Sequence, residues 1–433
     1  MKRALAGLGA LALLLCSCDT TPVAFTPDGS RFAAVVYNRE KGGQRVMELW
    51  VGEVASGKSK LVHSAEAVGP PAWSPTGKTL HYLTGGRNMS ADLGPGGLSM
   101  KHTFKLQAWD GTRAREKGDV SFGMGSEGLA FSAPCVSRDG QWLYCCDWEG
   151  DDPAAVRRSL VKKDREVIRK RSCAIALAPA GDRIALLDVG YEESCDLAVM
   201  ALKDVSPKNL VEGLGSPRVL AAFPPAWSPD GKRIAYVAEA PGSKDGSRAF
   251  EVWLVEVATK AKARVSEAGV SSCLPMWTRD GKSLLFSTVD PAAGRYGVRR
   301  AAPGSGTSEP VPGTEGAVGC GLSPDSRTLA LRVMLLEPPA EAGERECNFV
   351  RLLELPTGKS RDFVFNALQH LCSAHTDLME AVALAKAEKR DEAAARARRG
   401  LATLDALARR FPQDARADQA QAMRRRLENL SQG

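Results

Sequence analysis

One turn, written seven times, constrains this chain more than any other feature. Residues 224–237 read PPAWSPDGKRIAYV, and residues 70–83 read PPAWSPTGKTLHYL. Using the Ser-Pro-Asp-Gly turn as an anchor brings out five further copies: FTPDGSRFAAV, VSRDGQWLYCC, LAPAGDRIALL, WTRDGKSLLFS and LSPDSRTLALR. The anchors fall at Gly29, Gly77, Gly140, Gly181, Gly231, Gly281 and Ser326, with spacings of 48, 63, 41, 50, 50 and 45 residues. Self-similarity at a period of about 40–50 residues marks a repeat architecture, in which one supersecondary unit recurs.

Each copy reads as a tight β-hairpin. A hydroxyl residue opens the turn, Pro sets φ at the next position, Asp bonds its own main chain, and Gly takes the positive-φ position. Three residues past the anchor every copy is apolar: Phe32, Leu80, Leu143, Ile184, Ile234, Leu284 and Leu329. Two further on stand Ala34, Tyr82, Cys145, Leu186, Tyr236, Phe286 and Leu331, so the second strand keeps a period of two. Third strands follow at MELWVGEV, FEVWLVEV and NFVRLLEL, each running into a polar turn and a final outer strand. A single such sheet exposes both faces, and only neighbours on each side bury them. The expected fold is therefore all-β, a seven-bladed β-propeller of four-stranded antiparallel blades, followed by a short α-helical C-terminal segment.

At the Trp-Ser-Pro-Asp-Gly turn and the apolar strand after it, residues 21 to about 365 resemble the TolB-like β-propeller repeat. TolB carries an α/β domain ahead of its propeller, which finds no counterpart before the first blade here, so its docking role is not carried over. A similar propeller precedes the hydrolase domain of prolyl oligopeptidases and dipeptidyl peptidases. Such an enzyme needs a G-x-S-x-G nucleophile turn, which this sequence lacks. GMGSEG holds Ser126 without that glycine spacing. It also matches G-x-G-x-x-G at Gly123, Gly125 and Gly128, but a strand follows it where a nucleotide fingerprint needs a helix.

The amino terminus points to export. Lys2 and Arg3 precede ALAGLGALALLL, an apolar run of 12 residues, which is too short to span a bilayer and fits a secretory signal. LCSCDT then resembles a bacterial lipobox, with Cys18 as the lipidated residue and Cys16 disfavoured by the bulky Leu15 before it. Residues 1–17 are thus expected to be a lipoprotein signal peptide, 18–365 the propeller, and 366–433 the helical segment. The expected location is the bacterial envelope, membrane-anchored and exposed to the periplasm or cell surface. Beyond Cys16 and Cys18 nine cysteines remain, an odd number that leaves at least one thiol without an intramolecular partner.

Motifs for metal or cofactor chemistry are thin, and no metal and no cofactor is expected. The five histidines are scattered. The acidic turn CDWEGDDP brings Asp147, Glu149, Asp151 and Asp152 together without the spacing of a calcium loop. The longest insertion, TGGRNMSADLGPGGLSMKHT, and shorter ones at EAPGSKDGSRAF and LEPPAEAGEREC are expected as loops on one rim, where binding would be built. A basic run on the outer strands of the third copy holds Arg157, Arg158, Lys162, Lys163, Arg165, Arg169, Lys170 and Arg171. It reads as edge protection, with contact to an anionic surface as the functional alternative; nucleic acid is not expected as a partner.

After about residue 365 the period becomes helical. Leu368, Leu371, His375, Leu378 and Val382 form one stripe, and Ala393, Ala397, Leu401, Leu404, Ala408 and Phe411 a second. Met423, Leu427 and Leu430 mark a third helix. KRDEA with Ala381, Ala393 and Gly400 at small positions resembles a tetratricopeptide helix pair. The functional expectation is a lipid-anchored, non-enzymatic scaffold that binds envelope proteins. The alternative is an enzyme or a small-ligand or glycan receptor using the central channel.

Overall fold

A computed structural model of the protein describes residues 22–39, 45–85, 89–94, 97–124, 133–149, 152–162, 164–190, 194–216, 220–240, 249–268, 270–290, 295–334, 348–412 and 417–432. Seven antiparallel sheets succeed one another along the chain, six of four strands and one of six. The first blade shows the plan, with strands Ala24–Phe25, Arg31–Arg39, Arg45–Glu53 and Ser59–Ala65 paired in chain order. The first strand of each blade touches the first strand of the next, and that of blade 7 returns to that of blade 1. The seven sheets therefore form a closed ring with the first strands innermost.

The repeated turn has the expected internal bonding. In blade 1 the Thr26 hydroxyl donates to Asp28 Oδ1 at 2.6 Å and accepts from the Arg31 amide at 3.0 Å, while Asp28 Oδ1 accepts from the Ser30 amide at 3.0 Å. The Thr26 hydroxyl and the Ser30 donors hold the Asp28 carboxyl down at about 2. Asp230, Asp280 and Asp325 are lowered by their own hydroxyl partners in the same way. The anchor glycines sit at positive φ, and Ser326 adopts φ 61° in the seventh copy.

Tryptophan at the fourth position before the anchor does more than fill the first strand. Trp73, Trp227 and Trp277 donate their indole N–H to Ala24, Ala176 and Ala226 carbonyls of the preceding blade, at 3.0, 3.1 and 3.0 Å. In return Arg31, Arg183 and Arg233 of that preceding blade reach the anchor carbonyls of Gly77, Gly231 and Gly281. Each guanidinium lies 5.0–5.2 Å from the centre of the indole ring it crosses, within cation–π range. The sentence shared by blades 2, 5 and 6 is thus an inter-blade clasp. Elsewhere Phe25, Val136, Leu177 and Leu322 stand in the tryptophan position, and other contacts take over: between blades 6 and 7 the Gly319 amide donates to the Ser287 hydroxyl at 3.0 Å.

Blade 2 departs from the sequence reading. The insertion expected as a long loop is a β-hairpin, with Met89–Gly94 pairing Gly97–His102 in register Met89 to His102. It lengthens the third strand to Gly97–Trp109 and is followed by a fourth strand, Ala114–Met124. Local alternation across a Gly-rich stretch is weak, so the pairing partner, and not the segment's own composition, makes it a strand. Most of the other two insertions, 241–248 and 335–347, lies outside the described residues.

Every blade is built from its own consecutive strands, so blades 7 and 1 meet without sharing one. Their seam is sealed by side chains. Phe32 meets Phe363 edge to face at 4.7 Å, and Trp50 stacks on Phe365 at 5.4 Å. Arg332, 1% exposed, donates to the Val35 carbonyl at 3.1 Å. The Val23 amide donates to the Cys320 carbonyl at 2.8 Å, and Gly321 beside it is required: a Cβ there would lie 2.3 Å from the Val23 oxygen.

The chain then leaves the ring through Asn366. Its Oδ1 caps helix α1 (Ala367–Lys386) by accepting the Gln369 amide at 3.0 Å, and its Nδ2 donates to the Tyr37 carbonyl and to Glu48 Oε2 of blade 1, each at 3.0 Å. Helices α2 (Arg390–Arg410) and α3 (Ala417–Ser431) complete a small apolar core around Leu371, Leu378, Leu404 and Leu427. One stripe position shifts: Ala408 is exposed and Leu407 is buried in its place, because the face drifts at 3.6 residues per turn. Cys372 on α1 is disulfide-bonded.

Candidate functional site

A cavity that combines volume with polar side chains lies where the helices meet the ring. It has a volume of about 560 Å³ and runs along the outer strand of blade 7, Ser360–Phe363, with α2 as its other wall. Gly57 and Ser59 of blade 1 close one end. His370 and Ser373 of α1 and Arg399, Thr403 and Arg410 of α2 supply its polar side chains together with Asp362.

Asp362 is the hub of a charged network beside it. Arg351, its cross-strand neighbour, forks onto both carboxylate oxygens at 2.7 and 3.2 Å. Such two-pronged pairing fixes geometry as well as charge. Arg399 bonds the same carboxylate from α2 and lies 3.6 Å from Asp377 of α1. Arg396 bridges Asp377 and Glu380. His370 donates Nδ1–H to the Asn366 carbonyl at 2.9 Å, and burial together with Arg410 lowers its pKa, so the imidazole is neutral at pH 7. The site is a positively biased polar groove that suits binding more than proton transfer.

The residues singled out in the sequence end up elsewhere. Cys18 and the rest of 1–21 lie outside the described residues, as does Lys163. The basic run of blade 3 is largely occupied. Arg157 bonds Glu166 at 2.8 Å, Arg158 bonds Asp147 at 2.6 Å, and Arg165 bonds Asp147 and Glu149 at 2.9 and 2.8 Å. Arg169 pairs with Asp188, and Arg171 donates to the Val189 and Gly190 carbonyls. The acidic turn and the basic run, read separately, are thus largely partners in one network, while Lys162 and Lys170 stay exposed. Asp152 opens the third strand of that blade, and Asp151 lies outside the described residues. Among the described residues no group of three or more His, Cys, Asp or Glu could hold a metal ion.

Among the described residues the free cysteines are buried or half-buried. Burial pushes the Cys145 thiol up to about 12 and Cys320 to about 11, which keeps them protonated and poorly nucleophilic. Cys173 and Cys195 of blade 4 approach to 3.6 Å between sulfurs, and the Cys173 contact together with burial raises Cys195 strongly. Sequence reasoning missed Asp362, Asp377 and Arg399. The signal was present in Asp377, a carboxylate one position from Leu378 in an apolar stripe.

No family model matches the chain. A stretch of 241 residues, 55% of this chain, is 24% identical to the uncharacterised peptidase YuxL of Bacillus subtilis, and spans 32% of that protein. The chain therefore covers about a third of the length of this curated relative. Among solved structures, the β-propeller domain of the trilobed protease of Pyrococcus furiosus superposes at a TM-score of 0.53 and 11% identity, over 79% of this chain and 96% of that one. A prolyl endopeptidase superposes at 0.54 and 16% identity, over 83% of this chain and 53% of that one. TolB from Acinetobacter baumannii aligns at 0.44 and 12% identity, over 77% and 79% of the two chains.

The fold is thus a seven-bladed propeller, consistent with the TolB-like repeat seen in the sequence. The expectation of a non-enzymatic scaffold does not stand. The sequence relative carries the name of an uncharacterised peptidase, and a prolyl endopeptidase and the propeller domain of the trilobed protease share the fold.

Proposed function

We propose that this chain is a peptidase-related propeller that takes hold of oligopeptides destined for hydrolysis. The observation that carries the reading is the similarity to YuxL over 241 residues. The sequence contains no G-x-S-x-G turn, so the reading assigns peptide handling to this chain and bond cleavage to an α/β-hydrolase centre outside it. Export and lipid anchoring at Cys18 belong to the same proposal, supported by Lys2, Arg3, the apolar run and the lipobox-like LCSCDT; an envelope location would give the ring peptides of the periplasm or exterior.

The test is direct. The purified chain is titrated with a panel of fluorescent oligopeptides and assayed in parallel on aminoacyl and prolyl chromogenic substrates. Saturable peptide binding supports the reading, whereas a chain that binds no member of the panel removes it. For the anchor, Cys18→Ala is expected to move the protein from the membrane to the soluble fraction, and continued membrane attachment would end that assignment.

A further inference from the structure

We propose that the groove between the outer strand of blade 7 and α2 is a docking site in which an extended peptide adds to the blade as a fifth strand, with its carboxylate beside Arg410. The inference rests on the peptide-handling reading and gives it a place on the ring.

Backbone phase is the first argument. Among the described residues Ser360–Phe363 pairs only with Asn348–Glu354. At the turn between them the Glu354 amide donates to the Lys359 carbonyl and the Gly358 amide to the Glu354 carbonyl, both at 2.8 Å. Bonded and non-bonded residue pairs alternate along an antiparallel ladder. Arg361 and Phe363 therefore face inward to Leu352 and Val350, while Ser360 and Asp362 turn their N–H and C=O groups away from the blade. Val364 continues the outward row. Its carbonyl accepts from Arg410 Nη1 at 3.4 Å, on the side this phase demands. Ser360, Asp362 and Val364 all line the cavity. At about 3.3 Å per residue the row spans roughly 13 Å, the reach of four or five residues of an extended peptide.

The helix wall is the second argument. α2 turns Ala402, Thr403 and Ala406 to the cavity, and α1 makes the packing contact with the third strand of blade 7. A helix that only shielded the edge would lie on it. Here small side chains leave about 560 Å³ open between helix and strand, and a strand edge facing a helix across a gap is the geometry of strand addition.

Charge selects the occupant. The Asp362 carboxylate is already held by Arg351 and Arg399. Arg410 is exposed, lies over the Phe411 ring at 5.6 Å, and has no carboxylate partner among the described residues. The unneutralised charge facing the groove is positive, so a peptide bearing a carboxylate at that end is favoured through a charge-assisted hydrogen bond.

The probe is a fluorescein-labelled pentapeptide of alternating Val and Thr with a free C-terminal carboxylate, titrated into the full chain by fluorescence polarisation. Ala406→Trp, which fills the groove from the helix side, is expected to weaken binding about tenfold or more, as is N-methylation of the alternate peptide amides that face the strand. The methylated peptide needs no change in the protein and decides the matter if the tryptophan variant misfolds. Amidating the C-terminus should weaken binding to wild type and leave Arg410→Ala unaffected; an Asp-terminated amide that restores binding would place a side-chain carboxylate there as well. Peptide binding insensitive to both the tryptophan and the methyl groups overturns the groove and leaves peptide handling standing. Absence of any peptide binding overturns both.

Discussion

Asp377 offers a quantitative test of the charged network that joins helices to ring. Its side chain is 2% exposed, with Oδ1 3.4 Å from Arg396 Nη1 and 3.6 Å from Arg399 Nε, and Oδ2 has no hydrogen-bond partner among the described residues. Burial pushes the carboxyl up to about 6 from its ordinary 3.8, against the pull of Arg399 and Arg396 and with Asp362 and Glu380 adding to the rise. Because the folded value is the higher one, the folded state binds the extra proton. The group's favourable contribution is fully present below about pH 4 and is lost as pH rises through 6. At about 1.4 kcal/mol per pH unit, the gap corresponds to roughly 3 kcal/mol between pH 4 and 7. Asp377→Asn keeps the shape and removes the titration. Arg396 retains Glu380 and Arg399 retains Asp362, so the variant should gain about 1–3 kcal/mol on wild type as pH rises from about 4 to 7. Urea unfolding of both proteins at several pH values, followed by helical circular dichroism, measures the difference. Parallel stability curves for the two proteins would refute the reasoning.

Two further predictions concern the ring. Trp227→Phe removes the indole bond to the Ala176 carbonyl while keeping a ring under Arg183, and should cost about 1–3 kcal/mol in urea unfolding through the carbonyl left unpaired. Gly321→Ala forces a methyl to 2.3 Å from the Val23 oxygen at the seam and should lower thermal stability by an amount equivalent to roughly 1–3 kcal/mol. Gly297→Ala, whose nearest neighbour is the Thr314 hydroxyl at 4.0 Å, is the control and should change little.

Blade number and hairpin phase were legible because they are local. The anchor turn carries its own donors and acceptors, as in Thr26, Asp28 and Ser30, so seven copies announce seven hairpins wherever they stand. The same locality hid the clasp. Trp227 reads as an apolar strand residue until the neighbouring blade supplies the Ala176 carbonyl and Arg183. The basic run of blade 3 reads as a charged patch until Asp147 and Glu149 fold back onto Arg158 and Arg165. The blade 2 insertion reads as a loop because its strand character comes from pairing, which composition does not encode.

Alternation, turn chemistry and the switch to a 3.6-residue period act within a few residues along the chain, and they alone determined a propeller followed by helices. The groove, the seam and the charged network join Gly57 to Arg399 and Glu48 to Asn366 across more than three hundred residues. Only the closing of the ring brings blade 7 and its helices back against blade 1, and with it the one wall that each segment could not supply for itself.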